Sequence, residues 1–302
     1  MTGYHTPVLA DVVARLARDR RRVVDATVGG GGHAARFVAA GAEVLAVDRD
    51  PEALAAARGC LGGERVTFRL GSFGDPDVWS AVAAFQPDFI LLDLGVSSHQ
   101  LDEDRRGFSF RARVPLDMRM GPTTQTAAAL LNGADERTLR ELFRVYGDER
   151  RAGALARAIV ERRARVPLAT SDDLVGAIRR ALGPRTGPPD FARLFQAVRI
   201  AVNDELASLT RALPALREAL TPGGVLAVIS YHSGEDRIVK DAFRDWARAC
   251  RCPAGQPICT CEGRPLARRV TPKPVQPDPG EAAANPRARS ARLRAVERLH
   301  GT

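Results

Sequence analysis

Asp25-Ala-Thr-Val-Gly29-Gly30-Gly31-Gly32-His33 is the stretch best equipped for ligand chemistry. Four successive glycines between a strand and a helix let the backbone approach a ligand closely. The helix start beyond them offers unpaired N–H groups. Alone, such a loop suits NAD, FAD or S-adenosylmethionine, and it can also be a tight turn with no ligand. Three further residues narrow the choice. Asp48 ends the next apolar run, where a carboxylate can accept both ribose hydroxyls of a nucleoside cofactor. Phe73 follows the third run, where a ring can pack on adenine, and Asp93 ends the fourth. All lie at the carboxyl ends of consecutive strands, where open α/β sheets bind ligands. A nicotinamide-dependent oxidoreductase needs neither the acid at Asp25 nor the turn Asp93-Leu-Gly-Val-Ser-Ser-His-Gln.

His232 ends a later apolar run and can contact a target base or receive a proton. It can equally be bonded within a turn to Glu235 or Asp236. Asp117 and Arg119 stand near Arg105, Arg106, Arg111 and Arg113, a set able to clamp phosphates or a flipped nucleotide. The plainer alternative is an Asp–Arg pair that fixes its own loop. Cys250, Cys252, Cys259 and Cys261 have metal-ligand residue types but lack the commoner C-x-x-C spacing. Two C-x-C pairs on strand faces can close a tetrahedral site, and reduced thiols are the alternative. No metal is assigned to them.

The elements that must position these groups read as alternating strands and helices. Strands are expected at 23–28, 43–48, 65–70 and 88–94, with helices at 33–40, from Pro51 to about Arg58, and at 78–85. This pattern predicts βαβ units and a parallel sheet. From 105 to 122 the chain reads as a basic loop. Helices follow at 135–147, 149–165, 171–182 and 190–220. A buried strand returns at 224–231 and a helix at 235–249. A proline-rich tail ends in Ser290–Leu299, which reads as a last strand with helix as the competing assignment. The fold expected is a Rossmann-like α/β sheet interrupted by a helical insertion.

Charge follows the same division. Residues 1–104 carry 10 Lys and Arg against 15 Asp and Glu, a net of −5. Residues 105–211 carry 20 against 12, and 212–302 carry 15 against 9, nets of +8 and +6. The acidic first third suits a small molecule and the basic remainder a polyanion. No apolar run approaches the ~20 residues of a membrane span. The N-terminus lacks a basic-then-apolar signal pattern, so a cytoplasmic protein is expected.

Matched blocks then run through almost the whole chain. They begin with Tyr4-His5-Thr6-Pro7-Val8-Leu9, the glycine loop, and Ala46-Val-Asp48-Arg-Asp50-Pro51. They continue through Leu91-Leu-Asp93-Leu-Gly-Val-Ser97-Ser98, Gln100-Leu-Asp102, Arg106-Gly-Phe-Ser-Phe110 and Pro115-Leu-Asp117-Met-Arg119-Met. Tyr146-Gly-Asp-Glu-Arg150, Phe195-Gln-Ala-Val-Arg-Ile200, His232-Ser-Gly-Glu235-Asp236-Arg237 and Asn285-Pro-Arg-Ala-Arg-Ser290 complete them. In these blocks the chain resembles the bacterial 16S ribosomal RNA cytosine-N4 methyltransferases.

The resemblance implies a class I methyltransferase domain at 1–104 and 212–302 and a substrate-recognition insertion at 105–211. It implies S-adenosylmethionine as cofactor, held by Gly31, Gly32, His33, Asp48, Phe73, Asp93 and Gln100. The substrate it implies is one cytidine in the decoding region of 16S ribosomal RNA, within the small subunit. Asp93 and His232 are the expected catalytic residues, and Asp117 and Arg119 the expected substrate contacts. The oligomeric state is left open, a homo-oligomer included. His99 and Gly234 replace the proline and leucine of many relatives, Gly30 replaces a longer side chain, and Gly234 is expected to loosen the turn after His232. A catalytically idle RNA-binding assembly factor predicts damage to the loop or the strand-end acids, and none is seen.

Overall fold

The apolar runs assemble into one seven-stranded sheet in the computed structural model, which describes residues 7–122, 125–250, 252, 255–258, 260 and 263–299. The chain opens with α1 (Ala10–Leu16) and then alternates through β1 (Arg22–Asp25), α2 (Gly32–Ala39), β2 (Glu43–Asp48), α3 (Pro51–Cys60), β3 (Val66–Leu70), α4 (Pro76–Phe85) and β4 (Phe89–Asp93). Six helices follow: α5 (Ser98–Asp102), α6 (Ala127–Gly133), α7 (Glu136–Val145), α8 (Ala152–Arg163), α9 (Ser171–Leu182) and α10 (Pro188–Asn203). The chain returns through α11 (Glu205–Ala219), β5 (Val225–Ser230), α12 (Ser233–Trp246), β6 (Ala267–Arg269), α13 (Pro279–Ala284) and β7 (Arg292–Arg298). No helix among the described residues is long and apolar enough to cross a membrane.

The strand order is β3-β2-β1-β4-β5-β7-β6. The first five strands are parallel, and β7 runs antiparallel to both β5 and β6. A dinucleotide-binding doubly wound sheet has the order 3-2-1-4-5-6, so the reversed β7 sets this sheet apart. The order turns back between β1 and β4, which places the ligand crevice of such sheets beyond their carboxyl ends.

Alternation along β4 explains why the sheet is covered on both faces. Phe89 and Leu91 enter one core with Phe37, Val44, Ile229 and Leu293. Ile90 and Leu92 enter the other with Val78, Leu213, Val228 and Phe243. Fully burying such a side chain stabilises the fold by ~1.5–3 kcal/mol. The same alternation settles the last strand: Ala291, Leu293 and Ala295 are buried, while Arg292 and Arg294 point to the other face and pair with Asp236.

The chain divides into two compact units, one of residues up to Gly95 with those from Leu206 on, the other Val96–Glu205. Both boundaries fall earlier than 105 and 211. Val96 and Leu101 pack on the core of the helical unit, whereas Leu209, Leu213 and Leu216 pack under the sheet. The helix expected over 190–220 is two helices, because Asp204 between them is left-handed at φ 50°. The buried Asn203 side chain donates to the Met118 carbonyl and accepts from the Met120 N–H, tying the end of α10 to the basic loop. That loop has little freedom. Gly107 has φ +79°, and a Cβ there would lie 2.5 Å from the Pro115 carbonyl oxygen. Sequence reading passed over α1, α6, α13 and the three-residue β6, all short and without sustained periodicity.

Candidate functional site

Three acids converge at the carboxyl ends of β1, β2 and β4. Asp25 is 1 % exposed, and its carboxylate accepts only a long bond from the Thr27 N–H, at 3.3 Å, among the described residues. Burial pushes its pKa up to about 7, against the opposing pull of His33 and Thr27, and the charges of Asp93 and Asp48 add to the rise. Asp48 accepts from the Gly29 N–H at 2.8 Å and the Asp50 N–H at 2.9 Å. Burial raises it to about 6. A carboxylate has about four acceptor positions, so Asp48 retains capacity for ligand hydroxyls.

Asp93 is held from two sides. Its N–H donates to Thr27 Oγ1 at 2.7 Å, and its Oδ1 accepts from the Tyr231 hydroxyl at 2.8 Å. Its Oδ2 lies 3.6 Å from His33 Nε2. His33 is 5 % exposed, yet neither ring nitrogen has a hydrogen-bond partner among the described residues. A buried polar ring without partners is costly unless a ligand completes it.

The glycine loop brings backbone close to this cluster. Gly31 caps α2 at φ +88°, and a Cβ there would stand 3.1 Å from the Leu61 side chain. A Cβ at Gly32 would stand 3.1 Å from the Pro7 ring. Phe73 lies in the turn after β3, half-buried against the core under the sheet, and its carbonyl accepts from Trp79 Nε1 at 2.7 Å.

His232 sits at the end of β5 as the cap of α12. Its Nδ1 accepts from the Glu235 N–H at 3.4 Å, and its Nε2 lies 3.2 Å from Glu235 Oε1. Glu235, 2 % exposed, also accepts from the Tyr231 and His232 N–H groups at 2.8 and 3.3 Å. The turn expected to be loosened by Gly234 is therefore held by this carboxylate. The bond of His232 to Glu235 within the turn is one of the alternatives the sequence offers, whereas Tyr231 and Thr27 escaped sequence reading. Their partners are distant in sequence or depend on strand pairing, and only the position of Tyr231 beside His232 hinted at a role.

The other expected residues lie in the helical unit. Gln100 is buried in α5, where its Oε1 accepts from the Ser97 N–H at 3.0 Å. Asp117 and Arg119 form a two-point pair at 2.9 and 2.8 Å. Burial raises the Asp117 pKa, but the Arg119 bonds outweigh it and hold the carboxyl below the usual range. Of the cysteine quartet, Cys259 and Cys261 lie outside the described residues, as does Tyr4-His5-Thr6 of the first matched block. Among the described residues no group of three or more His, Cys, Asp or Glu could hold a metal ion.

The raised carboxyls make a prediction for the ligand-free protein. Folded Asp25 keeps its proton to about pH 7, whereas an unfolded carboxyl loses it near its ordinary value of 3.8. Raising the pH across that window therefore costs the folded state stability. The melting temperature of Asp25→Asn relative to the parent should be roughly 5 °C higher at pH 8 than at pH 5. A gap that does not change with pH in calorimetry would mean that Asp25 is not the titrating group.

The cluster suits a ligand that brings positive charge and further hydrogen-bond donors to these acids. The family model described as the MraW methylase family matches residues 2–299 of this chain. Ribosomal RNA small subunit methyltransferase H of Gemmatimonas aurantiaca is 57 % identical over 302 residues, spanning 97 % of this chain and 94 % of its own. The protein of the same name from Heliobacterium modesticaldum is 47 % identical over 314 residues, spanning 99 % and 100 %. Among solved structures, an rRNA methylase from Streptococcus thermophilus aligns over 96 % of this chain and 94 % of its own, with 13 % identity and a TM-score of 0.41.

Proposed function

The chain belongs to the MraW methylase family, and from that premise we propose that it methylates the exocyclic N4 of one cytidine in the decoding region of 16S ribosomal RNA. It is an S-adenosylmethionine-dependent methyltransferase. The observation that carries the target is the near full-length identity to proteins named for the ribosomal small subunit. The RNA is met in the cytoplasm, free or within the small subunit.

The residues fit the cofactor. Asp25 accepts a single long bond among the described residues, neither ring nitrogen of His33 is hydrogen-bonded among them, and Asp48 has acceptor capacity left. Gly31, Gly32, His33, Asp48, Phe73 and Asp93 would hold it. When bound, S-adenosylmethionine supplies an electrophilic methyl group on a sulfonium.

The amine of cytosine is a poor nucleophile because its lone pair is delocalised into the ring. The protein must turn that lone pair toward the methyl and hold both in line. Asp93 places negative charge where positive charge grows on nitrogen. The turn Leu94–Ser98 stands where many amine methyltransferases carry an Asn/Asp/Ser-Pro-Pro-aromatic motif, and it presents backbone acceptors to the amine. The methylated nitrogen is acidic and sheds its proton easily, so no strong base is required. In the helical unit, Asp117 and Arg119 are assigned to the RNA, with the pair holding the guanidinium for a phosphate. Gln100 is the cofactor contact that the family resemblance assigns to the helical unit.

Mass spectrometry of ribosomal RNA from cells lacking the gene tests this reading. Loss of N4-methylcytidine at one position, restored by the cloned chain, is expected; an unchanged RNA would discard it. His232 has a separate test. Asparagine is also a good helix cap, so His232→Asn keeps the start of α12 and removes the imidazole. The variant should retain at least about a tenth of the parent rate, because the transfer needs no base. A loss of a hundredfold or more would make the imidazole a proton acceptor or base contact.

A further inference from the structure

Tyr231 follows β5 directly, and the reaction described above gives it no part. Three contacts fix it. Its N–H donates to the buried Glu235 carboxylate at 2.8 Å. Its ring lies against Gly95 in the turn after β4, where a Cβ would stand 3.5 Å from Cδ2. Its hydroxyl donates to Oδ1 of Asp93 at 2.8 Å. The phenol is thus seated between the start of α12 and the end of β4, with its oxygen on the acid of the site.

A carboxylate on a short side chain turns about two bonds. The bond from the Asp93 N–H to Thr27 Oγ1 holds the main chain, not the plane of the carboxylate. A hydroxyl donor on Oδ1 sets that plane and keeps Oδ2 toward His33. Burial, with the charge of Asp93 beside it, holds the phenol well above its ordinary pKa, so it stays a donor throughout the working range.

We propose that Tyr231 is a positioning residue for the transfer step: its hydroxyl sets the rotation of the Asp93 carboxylate. The proposal rests on the methyltransferase reading and extends it to a residue that touches the reaction only through Asp93. A positioning role differs from a structural one in being lost when Asp93 is lost. Tyr231→Phe removes the hydroxyl alone and keeps the ring on Gly95.

The test is a double-mutant cycle on the full-length protein with Tyr231→Phe, Asp93→Asn and both together. Single-turnover methyl transfer to 16S RNA and calorimetric affinity for S-adenosylhomocysteine are measured beside melting temperature. Tyr231→Phe should lower transfer about 10- to 50-fold in the parent and less than about threefold in the Asp93→Asn background. Its affinity for S-adenosylhomocysteine should fall about three- to tenfold in the parent and not further in that background. Its melting temperature should stay within about 2 °C of the parent, since the substitution removes one hydrogen bond and keeps the ring. An unchanged parent rate, or an equal loss in both backgrounds, overturns the proposal. A parent that transfers no methyl to RNA instead defeats the target reading, and the affinity arm still decides on Tyr231.

Discussion

Asp93→Asn is expected to lower methyl transfer by at least about a hundredfold in a protein that still folds. The substitution keeps size and shape and removes one negative charge. That charge sits at the end of β4, only 9 % exposed, between the Tyr231 hydroxyl and His33. Charges in such water-poor surroundings act more strongly than at a surface. Positive charge grows on the amine during transfer, so the loss falls mainly on the transition state and appears in the rate. The fold should not suffer, because Asp25 is raised partly by the charge of Asp93. Removing that charge relieves a like-charge neighbour. Single-turnover transfer of labelled methyl to 16S RNA reads the effect. A rate within about fivefold of the parent would strip Asp93 of its role in the reaction, since one well-placed electrostatic group commonly contributes a hundredfold or more.

The second large effect concerns stability. Asp236→Ala is expected to destabilise the protein by about 3–5 kcal/mol. Asp236 lies in the first turn of α12 and is 6 % exposed. Arg294 of β7 grips it at 2.7 and 3.1 Å, and Arg292 adds a bond at 3.1 Å. The Arg294 side chain is itself only 13 % exposed, so removing the acid strands a nearly buried charge. Burial alone would raise the Asp236 pKa, but the two arginines outweigh it and hold the carboxyl below its ordinary range. Its contribution is therefore present at neutral pH and lost as the pH falls through that depressed value. Urea unfolding of the parent and of Asp236→Ala at pH 7 measures the difference. Asp236→Leu combined with Arg294→Met should recover most of the loss, because the nearly buried charge is then gone and Arg292, 44 % exposed, is left to solvent. A loss below about 1 kcal/mol for Asp236→Ala would reduce the clamp to an ordinary surface pair.

The legibility of the fold followed the strength of local pattern. The strand at Glu43–Asp48 is an uninterrupted apolar run ending in an acid, and its bounds could be read directly. Helix Ser171–Leu182 announces its start in Thr170-Ser-Asp-Asp and its stop in Gly183, and it too has the expected bounds. The break at Asp204 was not readable. Nothing local forbids a helix through it, and the break serves Asn203, whose partners Met118 and Met120 lie 85 and 83 residues away. The insertion boundaries moved for a related reason. Val96 and Leu209 are equally apolar, and only packing assigns one to the helical core and the other to the sheet.

Residue types and spacing by themselves determined that the glycine loop, Asp48, Phe73 and Asp93 follow successive strands, because each chemical group directly ends a readable element. The same information sufficed for the doubly wound class and the helical insertion. Only the tertiary structure decided how the acids of that set are held. Parallel pairing of β1 with β4 sets Thr27 against Asp93, and pairing of β4 with β5 brings the Tyr231 hydroxyl onto its carboxylate. These partners are 66 and 138 residues apart. No local propensity encodes such distances, because strand order is chosen by the packing of whole faces.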